Sequence, residues 1–181
     1  GLLDAQAQLA EGPTQAEWDA LSAEQQYFEA RRMQAYAGMA TAMDHEIGRL
    51  LQHLRETGQY ENTVFILLSD NGAVANEPYD NEYGRRWLEK HYSREVETLG
   101  EKGSWVTSGK YWGRVANTPL SGYKFYAGEG GVRVPLIISG LSLPAESPIF
   151  NEFVYITDIA PTLLDIAGIP RPEPTVEHEP M

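Results

Sequence analysis

Apolar side chains recur every three or four residues through Tyr36, Met39, Met43, Ile47, Leu50, Leu51 and Leu54, a spacing that lays one apolar stripe along a helix. The predicted helix covers about residues 23–57. Ser22 with Gln25 forms a Ser-x-x-Gln capping box at its start, and Gly58 supplies a left-handed stop at its end. Thr14 with Glu17 repeats the box and predicts a shorter helix just before it. The pattern then changes over 63–69. Thr63-Val64-Phe65-Ile66-Leu67-Leu68 is continuously apolar and partly β-branched, as in a strand covered on both faces of a parallel sheet. Val134-Pro135-Leu136-Ile137-Ile138 predicts a second buried strand with its proline near the start, and residues 153–156 a short extended segment. A closing helix follows over 158–167, capped by Thr157 or Asp158 and ended by Gly168 and Pro170. Helices alternating with buried strands define an α/β class.

Between the strands, residues 73–116 are polar, Gly-bearing and without a clean period, although 83–96 can hold a helix. Tyr79, Tyr83, Trp87, Tyr92, Trp105, Tyr111 and Trp112 make this excursion too aromatic for a disordered linker. It is expected to pack over something, and Tyr79, Trp87, Trp105 and Trp112 are candidates for lining a cleft as well as for packing. Residues 171–181 are Pro- and Glu-rich and read as a loose tail. No internal repeat is present, so residues 1–175 form one continuous α/β piece.

The 181 residues suffice for one core. The longest apolar run falls well short of the roughly 18–20 residues of a membrane span. Twenty-six acidic against fourteen basic residues give a formal charge of −12, which opposes binding to a phosphate backbone and excludes nucleic acid as the expected partner. That excess of acid is ordinary for a solvated surface and does not by itself announce a metal. The absence of cysteine rules out disulfides, thiolate zinc sites and a thiol nucleophile in this chain, and leaves no redox mark of compartment, periplasm or cytoplasm. Gly1-Leu2-Leu3-Asp4 is neither an initiator methionine nor a signal segment, so the start reads as truncated or processed.

Ligands of open α/β sheets sit at the carboxyl ends of strands, and Ser69-Asp70-Asn71-Gly72 follows the first strand. A carboxylate and an amide oxygen are hard donors suited to calcium or magnesium. The same residues also make ordinary turns, although a hairpin would need a second strand that 73–81 does not offer. A second constellation runs Asn117-Thr118-Pro119-Leu120-Ser121-Gly122-Tyr123-Lys124 and then Glu129-Gly130-Gly131-Val132-Arg133-Val134-Pro135.

The order Ser-Asp-Asn-Gly, excursion, Lys-x4-Glu-Gly-Gly-x-Arg-x-Pro, then Asp158-Ile159-Ala160-Pro161-Thr162-Leu163-Leu164 resembles the sulfatase family within the alkaline-phosphatase-like superfamily. The resemblance runs from about Ala35 to Pro170. It implies an α/β/α sandwich with a largely parallel sheet, of which this chain would be the C-terminal half. It also implies Asp70 and Asn71 as ligands of one divalent cation, most often calcium with magnesium as the alternative, and Lys124 as the residue that contacts the sulfate. Asn71 in place of histidine is similar to the one-metal sulfatase choice and favours sulfate over phosphate esters. Glu129 and Arg133 are assigned to local structure, as are His45, His53, His91 and His178, which lack metal-type spacing. The family's formylglycine, made from Cys or Ser in a Cys/Ser-x-Pro/Ala-Ser-Arg motif, and its paired N-terminal aspartates have no counterpart here and are expected upstream. The isolated piece is then expected to be inactive and to self-associate, or to pair with the missing half, through sheet and core surface left open. Formylglycine-dependent phosphonate or phosphodiester hydrolysis, and a noncatalytic binding module on the same fold, are the alternatives.

Overall fold

The computed structural model describes residues 12–140, 149–150 and 152–170; the expected tail at 171–181 lies outside them. Contacts divide the chain into two units, 1–142 and 143–181.

In the first unit the two capping boxes form as read. Thr14 Oγ1 accepts from the Glu17 amide at 3.2 Å while the Glu17 carboxylate accepts from the Thr14 amide at 2.7 Å, starting α1 (Gln15–Asp19). Ser22 and Gln25 exchange the equivalent bonds at 3.2 and 2.8 Å and start α2 (Ala23–Glu56). Each cap satisfies helix-start amides that would otherwise lack partners, worth about 0.5–2 kcal/mol. Gly58 takes φ 70° just past the end of α2, and the Gln59 amide donates back to the Leu54 carbonyl at 2.8 Å.

The long excursion folds against α1 and the first turns of α2. It contains α3 (Glu82–His91) and α4 (Gly109–Asn117). Leu88 and Leu99 are the buried apolar side chains among the described residues. The Trp112 indole donates to the Glu29 carbonyl at 2.8 Å, and Trp18 packs edge-on to Tyr111 and Trp112 at 5.5 and 5.7 Å. At the centre lies Arg32, 3% exposed, whose guanidinium pairs with Glu29 at 2.7 Å and with Glu77, and donates to the Thr107 carbonyl at 2.8 Å and hydroxyl at 3.0 Å. A buried guanidinium with this many acceptors ties residues 77 and 107 of the excursion to the helix. Gly109 is the close neighbour that makes room, since a Cβ there would strike the Arg32 guanidinium.

The sheet departs from expectation. β1 (Phe65–Leu68) pairs with β2 (Leu136–Ser139) in antiparallel register, Leu67 opposite Ile137, rather than in the parallel sheet read from its apolar run. These two strands form the whole sheet among the described residues. An unbroken apolar run signals that both strand faces want cover but carries no information on strand direction, which the path of the connection decides. Nor is that cover present: Leu67, Ile137 and Ile138 are exposed. The later part of the α2 stripe is likewise open, with Tyr36, Met39, Met43 and Leu50 all at least half exposed.

The second unit, described by itself, has Phe153 against Tyr155 at 4.8 Å, an extended backbone at Tyr155, and a 3-10 turn, Ile156–Asp158, that begins at the last residue of the expected extended segment and leads into α6 (Ile159–Ile166). Asp158 stands at the start of α6, but its carboxylate accepts from the Tyr155 amide at 2.8 Å, so it closes the preceding turn rather than capping the helix. The Thr162 hydroxyl donates to the Asp158 carbonyl at 2.6 Å.

Candidate active site

The chain leaves β1 at Ser69, whose hydroxyl donates to the Asn71 carbonyl at 2.8 Å and rounds the turn that carries Asp70 and Asn71. Gly72 comes next and meets another backbone: its amide donates to the Gly131 carbonyl at 2.9 Å, and a Cβ there would run into the Gly130 carbonyl. A glycine is required because two segments of the backbone cross in direct contact.

The partner segment is the Glu-Gly-Gly motif, which forms the short α5 (Glu129–Val132). Gly130 and Gly131 are both buried. A Cβ on Gly130 would strike the Gly122 carbonyl and one on Gly131 the Tyr126 carbonyl. The double glycine is therefore a packing requirement, pressed between the Ser69–Ala73 turn on one side and residues 121–126 on the other. Glu129 and Arg133 pair across one helical turn at 3.5 Å on the surface, in keeping with a local role.

Lys124 enters the same cluster through its backbone. Its amide donates to the Ala73 carbonyl at 3.0 Å, two residues beyond Asn71. Its ammonium lies 5.4 Å from the ring centre of Phe125, an exposed residue with φ 78°. The remaining bonds come from Asn117 at the end of α4. Its side-chain oxygen accepts from the Ala73 amide at 3.1 Å, and its side-chain nitrogen donates to the carbonyls of Gly122 at 2.9 Å and Gly130 at 2.8 Å. The Ser69–Gly72 turn, the Asn117–Lys124 stretch and the Glu129–Val132 segment thus converge on one junction of backbone and amide bonds. Asn117 opens the Asn-Thr-Pro-Leu stretch, yet no spacing rule names its partners, and Arg32 carried no sequence signal beyond being a basic residue on a helix.

Asp70 is exposed, and its carboxylate has no hydrogen-bond or ion-pair partner among the described residues; Asn71 is half-buried. Two hard oxygen donors on one glycine-bearing turn suit calcium or magnesium. Two such donors are too few to hold an ion by themselves, and among the described residues no group of three or more His, Asp or Glu side chains is placed to hold a metal ion. His45 sits on the surface beside Glu46 at 3.3 Å, His91 lies tilted against Trp87 at 5.1 Å, and His178 lies outside the described residues.

Of the four aromatics considered for a cleft, two make packing contacts and each of these also lines a surface pocket. Trp112 is held by its bond to Glu29, and Tyr79 lies beneath the Arg94 guanidinium, 4.2 Å from its ring centre, with a buried hydroxyl. Trp87 and Trp105 flank Tyr92 at 5.6 and 5.7 Å and remain partly exposed.

A mixed helix-and-strand scaffold thus carries an oxygen-donor turn at a strand end, joined by backbone bonds to a lysine-bearing segment and a double glycine. Comparisons with known proteins identify the family. The family profile described as Sulfatase matches residues 5–169. An arylsulfatase of Klebsiella aerogenes is 36% identical over 154 residues, covering 84% of this chain and 33% of that protein. An uncharacterized sulfatase of Schizosaccharomyces pombe is 35% identical over 159 residues, 86% of this chain and 28% of its own length. An arylsulfatase of Clostridium perfringens is 29% identical over 146 residues, 79% and 22% respectively. The chain belongs to the sulfatase family, and with that to the alkaline-phosphatase-like α/β class; it spans about a third or less of the length of these relatives.

Proposed function

We propose that this chain supplies part of the active site of a sulfuric ester hydrolase of arylsulfatase type. Asp70 and Asn71 contribute to holding one divalent cation, calcium in preference to magnesium, and Lys124 contacts the sulfate. The observation that carries this is the junction itself: the Lys124 amide donates to the carbonyl of Ala73, two positions along the chain from Asn71, so the lysine's backbone lies beside the end of the Asp70–Asn71 turn.

When bound, the cation supplies electrostatic stabilisation of charge on the ester oxygens. The chain's own residues supply the rest. The Asp70 carboxylate is exposed and has no cation partner among the described residues, which leaves its charge open to a ligand. The Lys124 ammonium is a donor for the oxygen on which charge develops as the ester bond breaks, and a fixed cation there lowers that barrier most when water is excluded. Buried Gly130 and Gly131 hold the segment behind the lysine to one path. The sequence contains no cysteine and no Ser-x-Pro/Ala-Ser-Arg, so a formylglycine nucleophile would have to come from outside these residues. The 181-residue chain alone is expected to be inactive.

The protein as its gene encodes it, offered nitrophenyl sulfate, a nitrophenyl phosphodiester and a nitrophenyl phosphonate ester, is expected to turn over the sulfate with the highest kcat/KM. Preference for either phosphorus ester would replace this function with the corresponding hydrolase. No turnover of any of the three would leave only a binding role.

A further inference from the structure

We infer that Asn117 is a positioning residue of this site, a role that rests on the sulfatase reading above and deepens it. Both ends of its carboxamide are engaged. The oxygen accepts from the Ala73 amide at 3.1 Å, and the nitrogen donates to the Gly122 and Gly130 carbonyls at 2.9 and 2.8 Å. One planar group with two donors and an acceptor thus fastens three separate stretches of chain. Ala73 is gripped from its other side by the Lys124 amide at 3.0 Å. Asn117 and Lys124 therefore hold the same residue, and the distance between the lysine and the Asp70–Asn71 turn is set through it. Asn117 acts through that residue and is not a catalytic group.

Few other side chains can substitute. An ionised aspartate has the same shape but would turn oxygen toward two carbonyl oxygens. Serine is too short to reach both, and glutamine adds a methylene to a junction where the glycines leave no slack.

The test compares the protein as its gene encodes it with Asn117→Asp, which keeps the shape and the acceptor but loses both donors, and with Asn117→Ala. Three quantities are read: calcium affinity by calorimetry, kcat and KM on nitrophenyl sulfate, and the urea midpoint. Calcium affinity is expected to fall by roughly 10- to 100-fold, as when a group that orients metal ligands is removed. The kcat is expected to fall by about 100-fold, the scale for a misplacement of roughly 1 Å, with KM changed far less. If the alanine variant does not fold, the aspartate variant decides. A folded variant whose calcium affinity and kcat stay within about twofold of wild type overturns the positioning role, however much stability it has lost. A wild-type protein that neither binds calcium nor cleaves the ester overturns the sulfatase reading and this role with it, so the two failures are told apart by the wild type alone.

Discussion

Replacing Arg32 with methionine removes the charge at the centre of the excursion's attachment while keeping much of the volume. The Arg32 side chain is 3% exposed and its partners Glu29 and Glu77 are 11% and 22% exposed, so both carboxylates would be left largely out of water without a cation. Breaking a buried pair from one side costs about 3–5 kcal/mol, and the lower end applies here because Glu77 retains some contact with solvent. The two bonds to Thr107 at 2.8 and 3.0 Å are lost as well. A loss of about 3 kcal/mol is a large share of the roughly 5–15 kcal/mol that holds a domain together. In a protein of this size it corresponds to a drop in Tm of about 6–12 °C. Urea and thermal unfolding measure it directly. Arg32→Met combined with Glu29→Gln and Glu77→Gln is expected to recover much of the loss, because the orphaned charges are then gone. A single-variant loss under about 1 kcal/mol, or a triple variant no better than the single one, would refute the view that an obligatory ion cluster anchors the excursion.

Gly72→Ala is expected to force the Ser69–Ala73 turn away from the Gly130 carbonyl, costing about 2–4 kcal/mol in overlap and in the lost Gly72–Gly131 bond and weakening calcium binding; denaturant midpoint and calorimetry check both. The Glu17 carboxyl is held below its ordinary value near 4.5 by the Thr14 amide that donates to it, with help from Lys110 at 3.5 Å. Its contribution to stability is then present above that ordinary value and lost as pH falls through the lower folded one, so the advantage of wild type over Glu17→Gln in urea titrations should shrink as the pH is taken below about 4.5. The open α2 stripe and the exposed sheet residues Leu67, Ile137 and Ile138 lead to the expectation that the 181-residue chain by itself self-associates or pairs with a further polypeptide; sedimentation velocity showing a monodisperse monomer would count against it.

What was legible in the sequence was local. The capping boxes at Thr14 and Ser22 and the stop at Gly58 link residues three to five apart, so the start and end of α2 could be read directly. The turn bearing Asp70 and Asn71 was placed at a strand end by the apolar run before it. Strand direction was not legible, because the same Val, Ile and Leu residues suit either pairing. Nor were the two junctions that organise the molecule: Asn117 reaches Gly130 thirteen residues away, and Arg32 reaches Thr107 seventy-five residues away. A polar residue's partner at such separation follows from the tertiary path and not from any period in the sequence. Helix α3 falls within the 83–96 stretch that was read as able to hold a helix, whereas the packing of Tyr79 and Trp112 was hidden for the same reason, inside a segment whose aromatics fitted either a cleft or a core.

No described helix is long and apolar enough to cross a membrane. The most direct test is a crystal structure of the protein as its gene encodes it, grown with calcium and an unreactive sulfate-ester analogue. The expected electron density has side-chain oxygens of Asp70 and Asn71 at about 2.3–2.6 Å from the cation, with the Lys124 ammonium within hydrogen-bond reach of a sulfate oxygen. A cation bound elsewhere, or a lysine turned away from the analogue while Asp70 and Asn71 form an ordinary solvated turn, would contradict the assignment of these three residues to one site.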